Sequence, residues 1–242
     1  MPPRARIYVV VPARNEAPRI GKVVTSMPPL VDRIIVVDDG SRDGTGDAAR
    51  EPGDPRTVVV RHEETRGVGA AIVTGYRAAL ADVGDPRDGF VVMAGDGQMS
   101  PRDLPAVAGP VVRGEVGYVK GNRFGVRDAA TPMPFARRAV GEFLFYATSR
   151  VTGLSISDSQ CGYTALSRAA CERLDLDALW PRYGYPNDLL AQLAERNIAV
   201  REVFVEPIYR GEPSGIRPWH VARIAWLLAR ARLRLLRSAR VR

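Results

Sequence analysis

Short apolar runs recur along the first half of the chain, and each gives way to a polar or glycine-containing turn and then to helical spacing. Arg6 to Val11 predicts a first strand that ends at Pro12. Ala17 to Met27 predicts a helix, with Pro18 at its start, where a missing N–H costs least. Ile34 to Val37 predicts a second strand, and Thr45 to Arg50 a short helix. Thr57 to Arg61 predicts a third strand. Gly69 to Asp82 predicts a helix with Ile72, Tyr76, Ala79 and Leu80 on its apolar face, and Phe90 to Met93 a fourth strand. Strands alternating with helices in this way predict an α/β fold with a mostly parallel, Rossmann-like central sheet.

The second half is less regular. Gly117 to Lys120, Tyr163 to Leu166 and Val200 to Val205 predict strands; Phe135 to Val151 and Leu189 to Arg196 predict helices. No internal repeat or low-complexity linker divides the chain. The expectation is one domain over 1–217, with a nucleotide half over about 1–125 and an acceptor half over about 126–217.

After Pro218 the pattern becomes a basic amphipathic helix over 218–242. Val221, Ile224, Leu228, Ala231 and Leu235 share one face; Arg223, Arg230, Arg234 and Arg237 form a different stripe, with Arg232 near the apolar side. Such a helix suits the interface of an anionic membrane. The alternative is packing against the domain or a second subunit, which leaves a homodimer open.

Charge sharpens this picture. The formal net charge is +8, and the segment from Pro213 to Arg242 holds eight arginines and no acid. Without those eight the chain carries 27 basic and 27 acidic side chains, so the excess belongs to the tail. Aromatics do not interleave with the basic residues as in a stacking platform, which argues against nucleic acid. Two cysteines, Cys161 and Cys171, do not make a disulfide framework. Two distant histidines, His62 and His220, argue against structural zinc. No run of about 18 apolar residues spans a bilayer, and no signal-peptide core precedes the first strand. A cytoplasmic protein, peripheral at the inner face of a bacterial cell membrane, is expected.

Two strands end in acid. Ile34-Ile35-Val36-Val37 runs into Asp38-Asp39-Gly40-Ser41, and Phe90-Val91-Val92-Met93 into Ala94-Gly95-Asp96-Gly97-Gln98. Open α/β sheets present ligand-binding groups at the carboxyl ends of their strands. Adjacent carboxylates such as Asp38 and Asp39 need donors or cations; an Asx-turn with a helix cap is the plain alternative. Asp96 and the Gln98 amide could ligate a hard divalent cation together with a diphosphate. Arg66-Gly67-Val68-Gly69 has the look of a phosphate loop but lacks the third glycine of a dinucleotide fingerprint, and tight packing is its alternative.

Taken in order, these motifs resemble the family 2 glycosyltransferases, which have a GT-A fold, and within them the branch that moves a sugar from a nucleotide diphosphate to a polyprenyl (dolichyl-type) phosphate. The likeness spans roughly residues 6–217. It rests on the turn from Pro12 to Glu16, Val37 to Ser41, the Gly67 helix start, Asp96-Gly97-Gln98, Gly121-Asn122-Arg123-Phe124, Asp158 to Tyr163 and the loop carrying Arg210 and Arg217. The resemblance implies that Pro12, Ala13, Asn15, Glu16, Asp38, Asp39 and Gly67 hold the nucleotide of a UDP- or GDP-sugar. It implies that Asp96 and Gln98 hold Mg²⁺ or Mn²⁺, and that Arg123, Arg210 and Arg217 bind phosphates. Asp188 matches the usual base position, or at least an acceptor-site acid, and with Asp96 makes the catalytic pair.

Two positions depart from the family pattern. Ala94 replaces the first acid of Asp-x-Asp, so metal binding rests on fewer ligands, and Asn187 precedes Asp188 where Glu-Asp is common. A hydroxyl acceptor needs a base near its proton. A phosphate monoester, with a second pKa of about 6, arrives largely ionised and needs cations instead. The diluted base motif and the arginines therefore favour an inverting, metal-assisted transfer to a lipid phosphate. A soluble hydroxyl acceptor and a non-catalytic nucleotide-sugar binder are the alternatives.

Overall fold

The computed structural model describes residues 4–124, 146–208 and 218–240. Its centre is a seven-stranded sheet in the order β3-β2-β1-β4-β6-β5-β7. The strands are β1 (Ile7–Ala13), β2 (Arg33–Asp38), β3 (Thr57–Arg61), β4 (Gly89–Val92), β5 (Tyr118–Asn122), β6 (Thr164–Ser167) and β7 (Val200–Phe204). β1 to β4 pair in parallel, as the alternating pattern predicts. β6 is the exception: it runs antiparallel to both β4 and β5. Its four residues carry no signal of direction, so the reversal was not legible from pattern.

Successive residues of β1 face opposite layers, as the pleat requires. Val9 and Val11 pack on one side with Ile20, Val23 and Val24 of α1 (Ala17–Thr25) and with Leu104, Val107 and Val111 of α4 (Leu104–Val112). α2 (Thr45–Arg50) adds Ala49 to the same layer. Tyr8 and Val10 pack on the other side with Ile72, Tyr76 and Ala79 of α3 (Val68–Leu80). α5 (Arg168–Glu172) and α6 (Tyr185–Glu195) complete that layer through Cys171, Leu189, Leu190 and Leu193. Both faces of the sheet are thus covered, which is why its strands read as continuous β-branched runs.

α4 has no counterpart in the pattern-based reading. Pro105 and Pro110 fall within it and Pro101 just before it, so its sequence reads as loop although its apolar residues are buried. Of the helix expected over Phe135–Val151, residues 135–145 lie outside the described residues; 146–152 are helical.

The apolar face of the last helix, α7 (Pro218–Arg240), packs on the domain, one of the two environments open to it. Ile224, Leu228 and Ala231, the face assigned to a membrane, are buried. Ile224 and Leu228 pack with Ala147, Val151 and Tyr183. An apolar stripe with a protein surface available is satisfied there first, so the stripe alone did not discriminate the two environments. What α7 exposes instead is Trp226 and Leu233, at 53% and 57%.

Candidate active site

The strand order reverses direction at β1: β2 and β3 lie on one side of it, β4 on the other. The carboxyl ends of the strands at such a switch point form a crevice. Here a cleft of about 370 Å³ is lined by Pro12, Ala13 and Arg14 from the end of β1, Asp39 after β2, Thr65, Gly67, Val68 and Ala71, and Arg182 and Tyr183. A neighbouring cleft of about 550 Å³ shares Arg14 and Thr65 and adds Asn15, Ser41, Arg42 and Arg61.

Asp39 organises this region. Only 4% of it is exposed, and its two oxygens receive four hydrogen bonds. Oδ1 accepts from His62 Nδ1 and Arg66 N–H, each at 2.8 Å; Oδ2 accepts from Gly67 N–H at 2.8 Å and Thr65 Oγ1 at 2.9 Å. Burial by itself would raise this carboxyl, but hydrogen bonds from the Arg66 backbone N–H, the His62 ring, the Gly67 backbone N–H and the Thr65 hydroxyl outweigh it and hold the pKa below the usual range. Because a carboxylate only accepts, His62 carries its proton on Nδ1, and Nε2 meets Thr74 Oγ1 at 2.9 Å. His62 entered the sequence reading only as evidence against zinc. The signal that could have found it is register: Asp38 pairs with Arg61 across β2 and β3, so the next residue of each strand meets the other.

The glycines of Arg66-Gly67-Val68-Gly69 allow close packing, and Gly67 also lines the cleft. A Cβ on Gly67 would lie 2.6 Å from the Pro181 carbonyl oxygen, and one on Gly69 would lie 2.3 Å from that of Trp180. Ala70 N–H donates to Pro181 O at 3.0 Å, so the 180–182 backbone is clamped to the start of α3.

The second half of the site sits at the end of β4. Gly95 N–H donates to Pro12 O at 3.1 Å, which ties the Ala94-Gly95-Asp96 turn to the floor of the cleft. Asp96 Oδ1 accepts from Gln98 N–H at 3.0 Å. Asp96, Gln98, Arg123, Cys161, Tyr163 and Glu206 line a narrow cavity of about 60 Å³. Asp158 is 1% exposed and grips Arg123 bidentately, at 2.7 Å to Nε and 2.9 Å to an Nη. Burial pushes the Asp158 carboxyl up; the Arg123 hydrogen bonds and charge and the nearby Lys120 pull it below its ordinary value. Lys120 is buried, which lowers its ammonium to about 8, and it donates to Cys161 O at 2.5 Å.

Four of the expected site residues are held by contacts within the protein. Asp38 is fully buried; its Oδ1 accepts from Ser41 N–H at 2.9 Å, and its Oδ2 lies 3.8 Å from an Arg61 Nη. Glu16 points at Arg19 Nη1, 2.7 Å away, and lines neither cleft. Arg123 lines its cavity with its guanidinium already committed to Asp158. Asp188 is fully buried, accepts from Trp180 N–H at 3.0 Å and from Arg234 at 2.7 Å, and lines neither cleft. Asn15 braces the two turns: its N–H meets Ser41 Oγ at 2.9 Å and its Oδ1 meets Arg42 N–H at 3.1 Å. Arg210 and Arg217 lie outside the described residues. Pattern missed Arg182 and Tyr183, far along the chain from the strand ends they face.

Among the described residues no group of three His, Cys, Asp or Glu could hold a metal ion. Asp96 with Gln98 still fits Mg²⁺ or Mn²⁺, since such ions take one or two carboxylates and complete their shell with water and substrate phosphate.

Residues 8–175 match the family described as "Glycosyl transferase family 2". The chain belongs to this family. It is a glycosyltransferase with a GT-A architecture. It is 29% identical over 218 residues to the UDP-N-acetylglucosamine–dolichyl-phosphate N-acetylglucosaminyltransferase of Methanococcus voltae, covering 84% of this chain and 86% of that one. It is 30% identical over 212 residues to the polyprenol monophosphomannose synthase of Mycolicibacterium smegmatis, covering 83% and 77%. Among solved structures it resembles glucosyl-3-phosphoglycerate synthase from Mycobacterium tuberculosis in complex with UDP, with a TM-score of 0.70, 26% identity and coverage of 94% and 80%. That synthase has also been solved with Mn²⁺ and UDP-glucose.

Asp39→Asn keeps the shape but presents an amide NH₂ to protein donors. It is expected to lower stability by about 1–3 kcal/mol at neutral pH. The pKa of Asp39 is depressed in the fold, so its contribution is present above the unfolded carboxylate value and is lost as pH falls through the folded one. Thermal melts of the two proteins should therefore converge in acid; a gap that persists there would contradict the role of the charge.

Proposed function

We propose that this glycosyltransferase moves a sugar from a nucleoside diphosphate donor to a phosphate on a polyprenyl lipid, with inversion at the anomeric carbon. The observation that carries the reading is the burial of Asp188 in an ion pair with Arg234. A hydroxyl acceptor would need a base at that position, whereas a phosphate monoester is its own nucleophile. The named acceptors of the Methanococcus and Mycolicibacterium relatives support the same choice. The likeness to glucosyl-3-phosphoglycerate synthase favours a second reading, a small water-soluble acceptor.

In the proposed reaction a phosphate oxygen of the acceptor bonds to the anomeric carbon. The bond from that carbon to the diphosphate oxygen breaks, and its electron pair leaves with the nucleoside diphosphate. The nucleotide lies in the cleft between the Pro12–Arg14 floor and the Arg182–Tyr183 wall. Among the described residues neither Arg14 nor Arg182 is ion-paired, so both guanidinium groups are available to a base or a phosphate. Asp96 and Gln98 hold the divalent cation, which when bound neutralises charge on the departing diphosphate.

The outward face of α7 carries Trp226 and Leu233 among Arg223, Arg230 and Arg232. Arg230 lies over the Trp226 ring at 5.8 Å. Aromatic and apolar side chains between arginines suit the headgroup region of an anionic bilayer, where the lipid acceptor resides. No helix among the described residues is long and apolar enough to cross a membrane.

Nucleoside diphosphate release should be measured with UDP- and GDP-sugars and Mg²⁺ or Mn²⁺, with and without polyprenyl phosphate in detergent and with 3-phosphoglycerate as a soluble acceptor. Release that requires the lipid is expected; release with the soluble acceptor alone would overturn the lipid reading. Asp96→Asn should reduce lipid-dependent release by about 10²-fold or more, whereas Asp188→Asn, in protein that remains folded, should leave the rate within about tenfold. For the surface, the double variant Arg232→Glu with Leu233→Asp should lose sedimentation with anionic phosphatidylglycerol vesicles. Retention equal to wild type would remove the membrane role from this face.

A further inference from the structure

Asp188 links two elements that the reaction scheme treats as separate. One of its oxygens accepts from Arg234 of α7 at 2.7 Å; the other accepts from the backbone N–H of Trp180 at 3.0 Å. The same guanidinium reaches Glu195 Oε1 at 3.0 Å, so Arg234 spans α6 from its first turn to its last residue. Trp180 opens the loop that ends in Arg182 and Tyr183, the wall of the donor cleft. Its indole N–H closes that loop by donating to Tyr183 O at 3.1 Å.

α7 holds the loop by three further contacts. The Trp180 and Trp226 rings meet edge to face at 5.9 Å, Arg223 lies 5.2 Å from the Trp180 ring centre, and Tyr183 packs on Ile224 and Leu228. On its other side the loop has no slack: Pro181 is bonded to Ala70, and the Gly67 and Gly69 backbones lie too close to admit a Cβ. The wall is therefore held between the start of α3 and the C-terminal helix.

We propose that α7 is a positioning element of the donor site, in which Arg234, through Asp188, and Trp226, through Trp180, set the place of Arg182 and Tyr183 against the nucleotide. Neither Arg234 nor Trp226 lines the cleft, so both act through the loop. The assignment gives Asp188 a role in place of the base: it is the joint between helix and wall. It rests on the reading of the cleft as the donor site.

The test is calorimetric titration of the full-length protein with UDP and with GDP, alongside the donor KM and the polyprenyl-phosphate KM. Arg234→Gln should weaken binding of the nucleotide that the wild type takes by about tenfold, which corresponds to about 1.4 kcal/mol. The donor KM should rise in step while the lipid KM stays within about twofold. Arg234→Lys keeps a cation at Asp188 and should restore affinity to within about threefold. Trp226→Leu, which leaves the buried ion pair intact, should weaken the nucleotide by about threefold or more, and it decides the matter should Arg234→Gln fail to fold. Wild-type nucleotide affinity in Trp226→Leu and in any folded Arg234→Gln would overturn the proposal while leaving the donor cleft standing. A wild type that binds neither UDP nor GDP would overturn the cleft assignment, and this inference with it.

Discussion

The structure turns on how a charged carboxylate is kept at the bottom of the crevice. Asp39 is almost entirely out of water, and an ionised group in that position is tolerable only with a full set of donors. It obtains them from His62, Thr65, Arg66 and Gly67, and in doing so fixes the chain between β3 and α3 against the end of β2. That placement sets where α3 starts, and the start of α3 sets how closely the 180–182 backbone can approach. The far wall of the cleft is thus located by a chain of contacts that begins at one carboxylate.

The same solution appears in the other half of the sheet. Asp158, equally buried, takes Arg123 bidentately and accepts from the backbone N–H groups of Gln160 and Cys161, while Glu202 receives those of Ser157 and Asp158. Carboxylates that stand out in the sequence as ligand groups therefore divide into two kinds. Asp38, Asp158 and Asp188 look inward and build turns and joints. Asp39 and Asp96 line cavities, Asp39 while building its loop and Asp96 in the strand-end turn tied to Pro12.

This division explains what could be read in advance. Strand runs such as Ile34–Val37 and Phe90–Met93 were legible because a strand buried on both faces has nowhere to place a polar residue. The acidic strand ends were legible because carboxylates breaking an apolar run need a reason. Which acid faces a ligand was not, because it depends on partners distant in the chain: Asp188 meets Arg234, and Asp39 meets His62, only once the sheet and α7 are in place. α4 was hidden by its own prolines, and the direction of β6 has no sequence period. The C-terminal apolar stripe predicted a buried face correctly but not what buries it, since protein and lipid satisfy the same pattern.

The charge of the tail gains a sharper meaning from this arrangement. The remainder of the chain is balanced, so the excess acts from one helix and not from a general field. Part of it is spent inside, where Arg234 pairs with both Asp188 and Glu195. What remains outward is a short row of arginines beside exposed Trp226 and Leu233. At physiological ionic strength such charges are felt over only about 8 Å. They cannot steer a distant ligand, and they act only on a surface that α7 touches. α7 is also the helix packed against the cleft wall, so its outward arginines and its contacts with Trp180 and Tyr183 belong to one element.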